Sequence, residues 1–568
     1  VDGRGGSLER GYVRQGFPQR FTDQNRNRFE TQARLQNIFN RHTLKYGFEF
    51  SQNRIKLDSG LTGPQRDFGS GVVYNGFTVT NRFGVCTVQT MTVVCPASAL
   101  TSRVATLIAA GQAPAGLLNA STDTTLTAAQ LSTNPFLIRS TTGIGTSLDT
   151  TNSKFITTSV ESFYIQDEFR LSRSVQVNLG LRWDYQQLSD GQSTYLKLNN
   201  FRDNLQPRIG LTWDFTGKSR GKVFLNYARF LEAPIPTMFL FTAGGLASSF
   251  AANVDRLNAP AGSVITADFG NCCPATPADR DLKPQTVNEA AGGLEYELKN
   301  GLAVGARGVY RAQGSVIEDG SFDDGNTFFL FNPGESTTER LACATEFGCF
   351  GRARRYYRAL EFTATKRFTK NYQFIASYVY SSLTGNYEGF YRNDNGQGLA
   401  NLSTLFDIQS LLANKYGRLP NDRPHQLKFD GSYRMPWKLL VSSSFRAQSG
   451  IPFNALIPHP AAGDNEGFEV PRGTAINPLT GTNRTPTTFN LDLGASYPIR
   501  LGEDKQLRLQ IDWFNVTNAQ RAVRQDETLR TNSGIPGAGF IQFPNPFYGR
   551  GTIFQYPSSL RLGIKFQF

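Results

Sequence analysis

SSLRLGIKFQF (Ser558–Phe568) decides how this chain is read. Side chains of an extended strand alternate between its two faces. Leu560, Leu562, Ile564, Phe566 and Phe568 therefore share one face, and Arg561, Gly563, Lys565 and Gln567 the other. VQVNLGLRWDY (Val175–Tyr185) repeats the arrangement, with Arg182 and Asp184 on the face opposite Leu179, Leu181 and Trp183. A face holding Arg and Asp is no dry core without partners, whereas a water-filled lumen accepts it at little cost. The expected fold is all-β, a transmembrane antiparallel β-barrel.

Working outward, the same alternation marks about fifteen segments: 24–40, 42–55, 158–172, 175–187, 204–216, 221–233, 286–299, 301–317, 356–369, 371–385, 424–436, 438–453, 487–501, 505–518 and 558–568. Short connectors such as SRS near Ser172, TGKSRG, KNG and GEDK alternate with long ones, the largest running from 56 to 157. That asymmetry places the turns in the periplasm and the loops, including 56–157, outside. An odd strand count is at variance with the even number of single-chain bacterial barrels, so upstream strands are expected beyond this chain. GVVYNGFTVT (Gly71–Thr80) is the segment most easily missed as a strand. The chain opens at Val1 without Met or an export leader, so it is expected to start downstream of its own beginning.

Composition fits a large closed sheet. The 568 residues are 39% hydrophobic and 12% aromatic, with 55 Gly and only 3 Met, and no apolar run is long enough for a spanning helix. The net charge of +13 comes from basic residues spread along the whole length, which argues against a nucleic-acid partner. The six Cys form close pairs, Cys86 with Cys95, Cys272 with Cys273 and Cys343 with Cys349, far from the three His. Local disulfides are the simpler reading than a metal site, with the adjacent pair the most strained.

Several stretches together resemble the TonB-dependent outer-membrane receptors. ESFYIQDEFRLSRSVQVNLGLRWDY (Glu161–Tyr185) is similar to a strand pair of that family, as are NLQPRIGLTWDF (Asn204–Phe215) and GKVFLNYARFLEAP (Gly221–Pro234). NDRPHQLKFDGSYRMPWKLLVSSSFRAQSGIPFN (Asn421–Asn454) resembles the Oar-like branch, although its opening reads D-R-P-H in place of D-x-R-H. Leu491–Asn518 is similar to the family's penultimate hairpin with its N-V-T-N ending. The resemblance covers most of 158–568 and implies a 22-stranded barrel, an N-terminal plug and a TonB box, all upstream parts lying outside this chain. It also implies outer-membrane lipid and lipopolysaccharide around the barrel, the barrel-assembly machinery reading Phe566 and Phe568, and the inner-membrane TonB complex acting through the plug.

No catalytic constellation emerges. His425 and His459 lack a nucleophile motif around them, and Asp323 with Asp324 reads as a solvated turn. YRNDNGQG (Tyr391–Gly398) loosely resembles a calcium loop but lacks its spaced carboxylates. Neither a metal nor a cofactor is expected, and NVT at Asn515 belongs to a strand end. The candidate substrate contacts are loop aromatics: Phe239, Phe241 and Phe250; Phe328, Phe329 and Phe331; Phe390 and Tyr391. Packing of the loops against one another is the plainer role for them. The expected function is a transporter barrel that takes up, or exports, a large peptide, glycan or metal chelate. The alternative is a barrel-anchored surface adhesion protein with disulfide-clipped loops.

Overall fold

In the computed structural model the described residues are 20–61, 155–189, 194–233, 281–322, 328–342, 349–392, 403–458, 466–502, 505–532 and 542–568. To these are added the short strands at 65–67, 72–74, 77–79, 87–89, 92–95, 124–127, 144–153, 246–255 and 264–271, and residues 277–279 and 394. Among them, fifteen strands run as one meander: β1 (Arg20–Phe39), β2 (His42–Leu61), β3 (Ile156–Arg170), β4 (Val175–Ser189), β5 (Leu205–Trp213), β6 (Gly221–Leu231), β7 (Thr286–Glu297) and β8 (Leu302–Gln313), then β9 (Arg355–Thr369), β10 (Tyr372–Gly385), β11 (His425–Arg434), β12 (Leu440–Gln448), β13 (Thr488–Arg500), β14 (Gln506–Phe514) and β15 (Ser559–Gln567). Each pairs antiparallel with the next. No helix among the described residues is long and apolar enough to cross a membrane.

All seven tight turns lie at one end of the meander. Asn40, Asn300, Lys370, Asn371 and Lys438 take positive φ in them, which lets adjacent strands reverse within a few residues. In the β5–β6 turn Asp214 accepts from the backbone N–H groups of Thr216 at 3.0 Å and Ser219 at 2.7 Å. The opposite end carries the long connectors.

Two expectations change here. Gly71–Thr80 adds no strand to the meander, because Val72–Tyr74 and Phe77–Val79 pair only with each other among the described residues. The loop expected at 56–157 is partly sheet. β2 continues to Leu61, and the strand Ile144–Ser153 pairs with its end, with Gln65–Asp67 and with Leu246–Asp255. Alternation is weak in these Ser- and Thr-rich pieces, so they read as loop.

The two faces of the meander separate by chemistry. Leu560, Leu562 and Ile564 are 59%, 71% and 75% exposed on one face, an apolar surface of the kind only lipid covers at this extent. On the other face, ion pairs join neighbouring strands, Arg561 with Asp512 at 2.6 Å and Arg446 with Asp430 at 2.7 Å, and one spans β3 from β4 to β2, Arg182 with Glu49 at 2.7 Å.

Candidate functional site: a polar wall under an interlocked loop cap

The polar wall is densest on β2–β5. Arg182 Nε donates to Asp184 at 2.8 Å and its Nη2 to Ser162 at 2.6 Å, while Gln206 donates to the second oxygen of Asp184 at 2.6 Å. Arg34 reaches Glu49 at 3.1 Å from β1. Alternation puts each of these on the wet face, and pairing across the strands satisfies charges that a single strand leaves open.

At the long-connector end of this wall the side chains turn apolar and meet the loops. Ile55, Ile156, Leu188 and Leu198 form one buried cluster with Leu282, Ile317 and Leu330. The loop cap thus begins on the inner face of the strands. Deeper in the cap, Phe322, Phe331, Phe350, Tyr387, Phe406 and Phe468 share a second core contributed by three separate connectors. Phe322 and Phe329 lie 4.3 Å apart between ring centres, and Phe331 and Phe350 5.1 Å apart.

Charged residues lock the same loops together. Arg472 and Asp394 are sealed from solvent and 2.8 Å apart, Arg392 Nε holds the other oxygen of Asp394 at 2.7 Å, and Glu388 pairs with Arg472. Phe468 lies against both guanidiniums, 4.9 Å from Arg472 and 5.6 Å from Arg392. Asn454 donates to Glu527 at 2.9 Å and accepts from Gly473 N at 2.8 Å, tying in the last long connector. Lys415 Nζ sits 3.0 Å from the ring centre of Phe406 and bonds the Leu405 carbonyl at 2.5 Å. Burial pushes the Lys415 ammonium well down and the Glu318 carboxyl well up. For Glu335 burial acts upward, but the Lys283 hydrogen bond at 2.8 Å and the charges of Arg352 and Lys283 outweigh it and hold the carboxyl below its ordinary range.

The structure sorts the candidate residues. Phe329 and Phe331 belong to the packed cap core, Phe328 and Phe390 are half-buried, and Tyr391 is exposed. Phe239 and Phe241 lie outside the described residues, and Phe250 falls on the strand Leu246–Asp255. The calcium-like stretch is an ion-pair lock, because guanidiniums already occupy both oxygens of Asp394. Cys349 is disulfide-bonded, while Cys86, Cys272, Cys273 and Cys343 lie outside the described residues and Cys95 ends a short strand. Among the described residues no group of three or more acidic, His or Cys side chains can hold a metal. His425 bonds the Tyr378 hydroxyl at 2.8 Å, a structural contact; His459, Asp323 and Asp324 lie outside the described residues. Asn515 is a buried strand-end bracket, donating to the carbonyls of Ala519 at 3.0 Å and Tyr556 at 2.7 Å. In the D-R-P-H motif, Asp422 is buried, accepts from Leu383 N at 2.7 Å and pairs with Arg484. Exposed apolar loop residues that sequence reasoning missed include Tyr416, Ile476, Leu479 and Phe547. They stand in no periodic pattern.

A family model described as "TonB dependent receptor-like, beta-barrel" matches residues 2–518. The chain is 32% identical over 480 residues to the TonB-dependent transporter Oar of Myxococcus xanthus, covering 73% of this chain and 43% of that protein. It thus spans less than half the length of this relative. Among solved structures it is similar to the siderophore receptor PiuA from Acinetobacter baumannii, at 12% identity and a TM-score of 0.47 over 97% of this chain and 56% of that one. It is likewise similar to the outer membrane transporter YddB from Escherichia coli, at 13% identity and a TM-score of 0.47 over 96% of this chain and 55% of that one.

Proposed function

This chain belongs to the TonB-dependent receptor-like β-barrel family of the bacterial outer membrane, and from that premise we propose that it is the wall and extracellular cap of an energised transporter. Family members are transporters rather than enzymes, which does not support the alternative of an adhesion anchor. The observation that carries the proposal is the polar wall leading into a cap locked across separate loops, as in Arg472 with Asp394. A passage for a large solute needs a wet wall and a mouth that recognises its cargo. The cargo class is a peptide, glycan or metal chelate, taken up or exported.

In this reading an upstream plug fills the lumen and answers to TonB. Phe566 on β15 and Phe568 just beyond it, with ring centres 5.8 Å apart, serve the barrel-assembly machinery, and lipopolysaccharide surrounds the outer rim. Cargo contact falls to Tyr391, Phe390 and Phe328 ahead of the packed Phe329, with Phe239 and Phe241 as further loop contacts. The test is in-cell cross-linking of the tagged full-length protein. Recovery of TonB only in energised cells supports the proposal, and equal absence of TonB in energised and de-energised cells overturns it.

A further inference from the structure

We propose that the lumen face of β13–β15 holds a pocket for a basic side chain, an ammonium or guanidinium, carried by a peptide cargo. The proposal rests on the transporter reading above and selects, from its cargo classes, a peptide with a cationic residue. The pocket has a volume of about 460 Å³, and its lining includes Asn490, Asp492, Phe514, Gln555 and Ser559. Thr488 opens β13, Phe514 closes β14 and Ser559 opens β15, so the pocket lies at the long-connector end of the wall. Phe514 interrupts the polar character of that wall. Its register partner is Ser559 and Asp512 shares its face, yet its ring is 37% exposed. A flat aromatic ring on a wet face offers its π cloud to a cation or its surface to a stacked ring.

The polar groups around the ring decide between the two. Each amide nitrogen of the pocket is bonded within the protein: Asn490 Nδ2 donates to Asp492 Oδ1 at 2.7 Å, Gln555 Nε2 to the Phe489 carbonyl at 2.8 Å, and Asn515 Nδ2 to the Tyr556 carbonyl at 2.7 Å. The acceptors are in the opposite state. Gln555 Oε1 is buried with no hydrogen-bond partner among the described residues. Both bonds to Asp492, from Asn490 Nδ2 and from the Asn515 backbone N–H at 2.7 Å, fall on Oδ1, and Oδ2 receives none among the described residues. Charge runs the same way. Arg446, across from Asn490 in register, puts Nη2 on both oxygens of Asp430, and Arg561, 5.4 Å from the Phe514 ring centre, pairs with Asp512. Both wall arginines thus have carboxylates of their own, and Asp492 forms no ion pair among the described residues. An open carboxylate oxygen, a buried carbonyl oxygen lacking a donor and an aromatic face together suit a cation that brings several N–H groups. A neutral sugar ring also stacks on an aromatic, but it leaves the charge of Asp492 unmet. A neighbouring cavity of about 560 Å³ shares Asp492 and Phe514, and Gly431, Ser432, Ser442 and Gly494 in its wall leave room for the stem and backbone of a bound residue.

The test is fluorescence anisotropy of the full-length protein in detergent with labelled probes: a short peptide carrying a single arginine, the same peptide with citrulline in its place, and a neutral malto-oligosaccharide. Citrulline keeps the shape of the side chain and removes its charge. The wild type is expected to bind the arginine peptide about tenfold more tightly than the citrulline peptide, the effect of one charge-assisted interaction. Asp492→Asn, which keeps an oxygen for the Asn515 N–H, is expected to erase that preference by weakening the arginine peptide alone. Equal wild-type affinity for the two peptides overturns the proposal whether or not the variant folds, and so does a variant that keeps the wild-type preference. Binding of neither peptide, the outcome if a cation of the plug already fills the pocket, overturns it too, as does tighter binding of the oligosaccharide. None of these measurements involves TonB, so this proposal and the transporter reading fail separately.

Discussion

Arg472 and Asp394 meet at 2.8 Å with both side chains sealed from solvent, joining two connectors that are far apart in sequence. Asp394 also answers Arg392, so it is the shared anion of two buried guanidiniums. Removing it takes the shared anion from both, while Arg472 keeps Glu388. Asp394→Ala is expected to weaken the cap by about 3–5 kcal/mol, the usual cost of breaking a buried ion pair by removing one partner. Hydrogen exchange should then rise in 386–392, 403–424 and 466–487 while strands β11–β14 keep their protection. Unchanged exchange in those loops contradicts the lock.

The cap also carries a pH response. Burial, then the charge of Asp394, pushes the Glu527 carboxyl up to about 8, against the Asn454 hydrogen bond and the charge of Arg472. Tyr548, pushed up to about 12 by burial and by Glu527, faces the same group. The folded cap therefore keeps a proton on Glu527 in the window above 4.5 where an unfolded chain has released it. Stability contributed this way is full below that window, falls as pH rises through it and is lost above about 8. Protease resistance of the loops is expected to drop between roughly pH 5 and 8 and to level off above, and Glu527→Gln to flatten that drop. A variant with the wild-type slope rules Glu527 out.

The two faces make a direct chemical prediction. Leu562→Cys is expected to react with a membrane-soluble thiol probe, and Arg561→Cys with a water-soluble one. Loss of the Arg561–Asp512 pair, exposed on the arginine side, should cost no more than about 1 kcal/mol and leave assembly intact. Reversed labelling of the two positions puts the faces the wrong way round.

Cys349 is disulfide-bonded beside a loop that Glu339 holds through the backbone N–H of Phe350 at 2.8 Å and of Gly351 at 3.2 Å. Non-reducing peptide mapping is expected to find it joined to Cys343. A free Cys343 thiol sinks that pairing.

The strands were legible because alternation is a local property: the segment from Val175 and the one from Ser558 show both faces without knowledge of any neighbour. All fifteen expected segments fall on meander strands, with ends moved by a few residues. The cap was not legible, since its contacts are long-range and its residues follow no period. Arg472 lies far from Asp394 in sequence, and Phe331, read as a mouth aromatic, is enclosed by Phe322 and Phe350 from other parts of its connector. Asp394 looked like part of a calcium loop for the same reason, as its arginine partners are invisible to a local reading.

The central claim is that this barrel works with further strands and a plug. Among the described residues the outer edges of β1 and β15 pair with no other strand, and such edges are untenable in lipid. The most direct measurement is the intact mass, with peptide mapping, of the native protein extracted from its outer membrane. A mass well above 62.8 kDa, with peptides from a plug-like segment, is the predicted result. A mass of 62.8 kDa with no such peptides contradicts plug-gated transport and leaves β1 to be covered by another subunit.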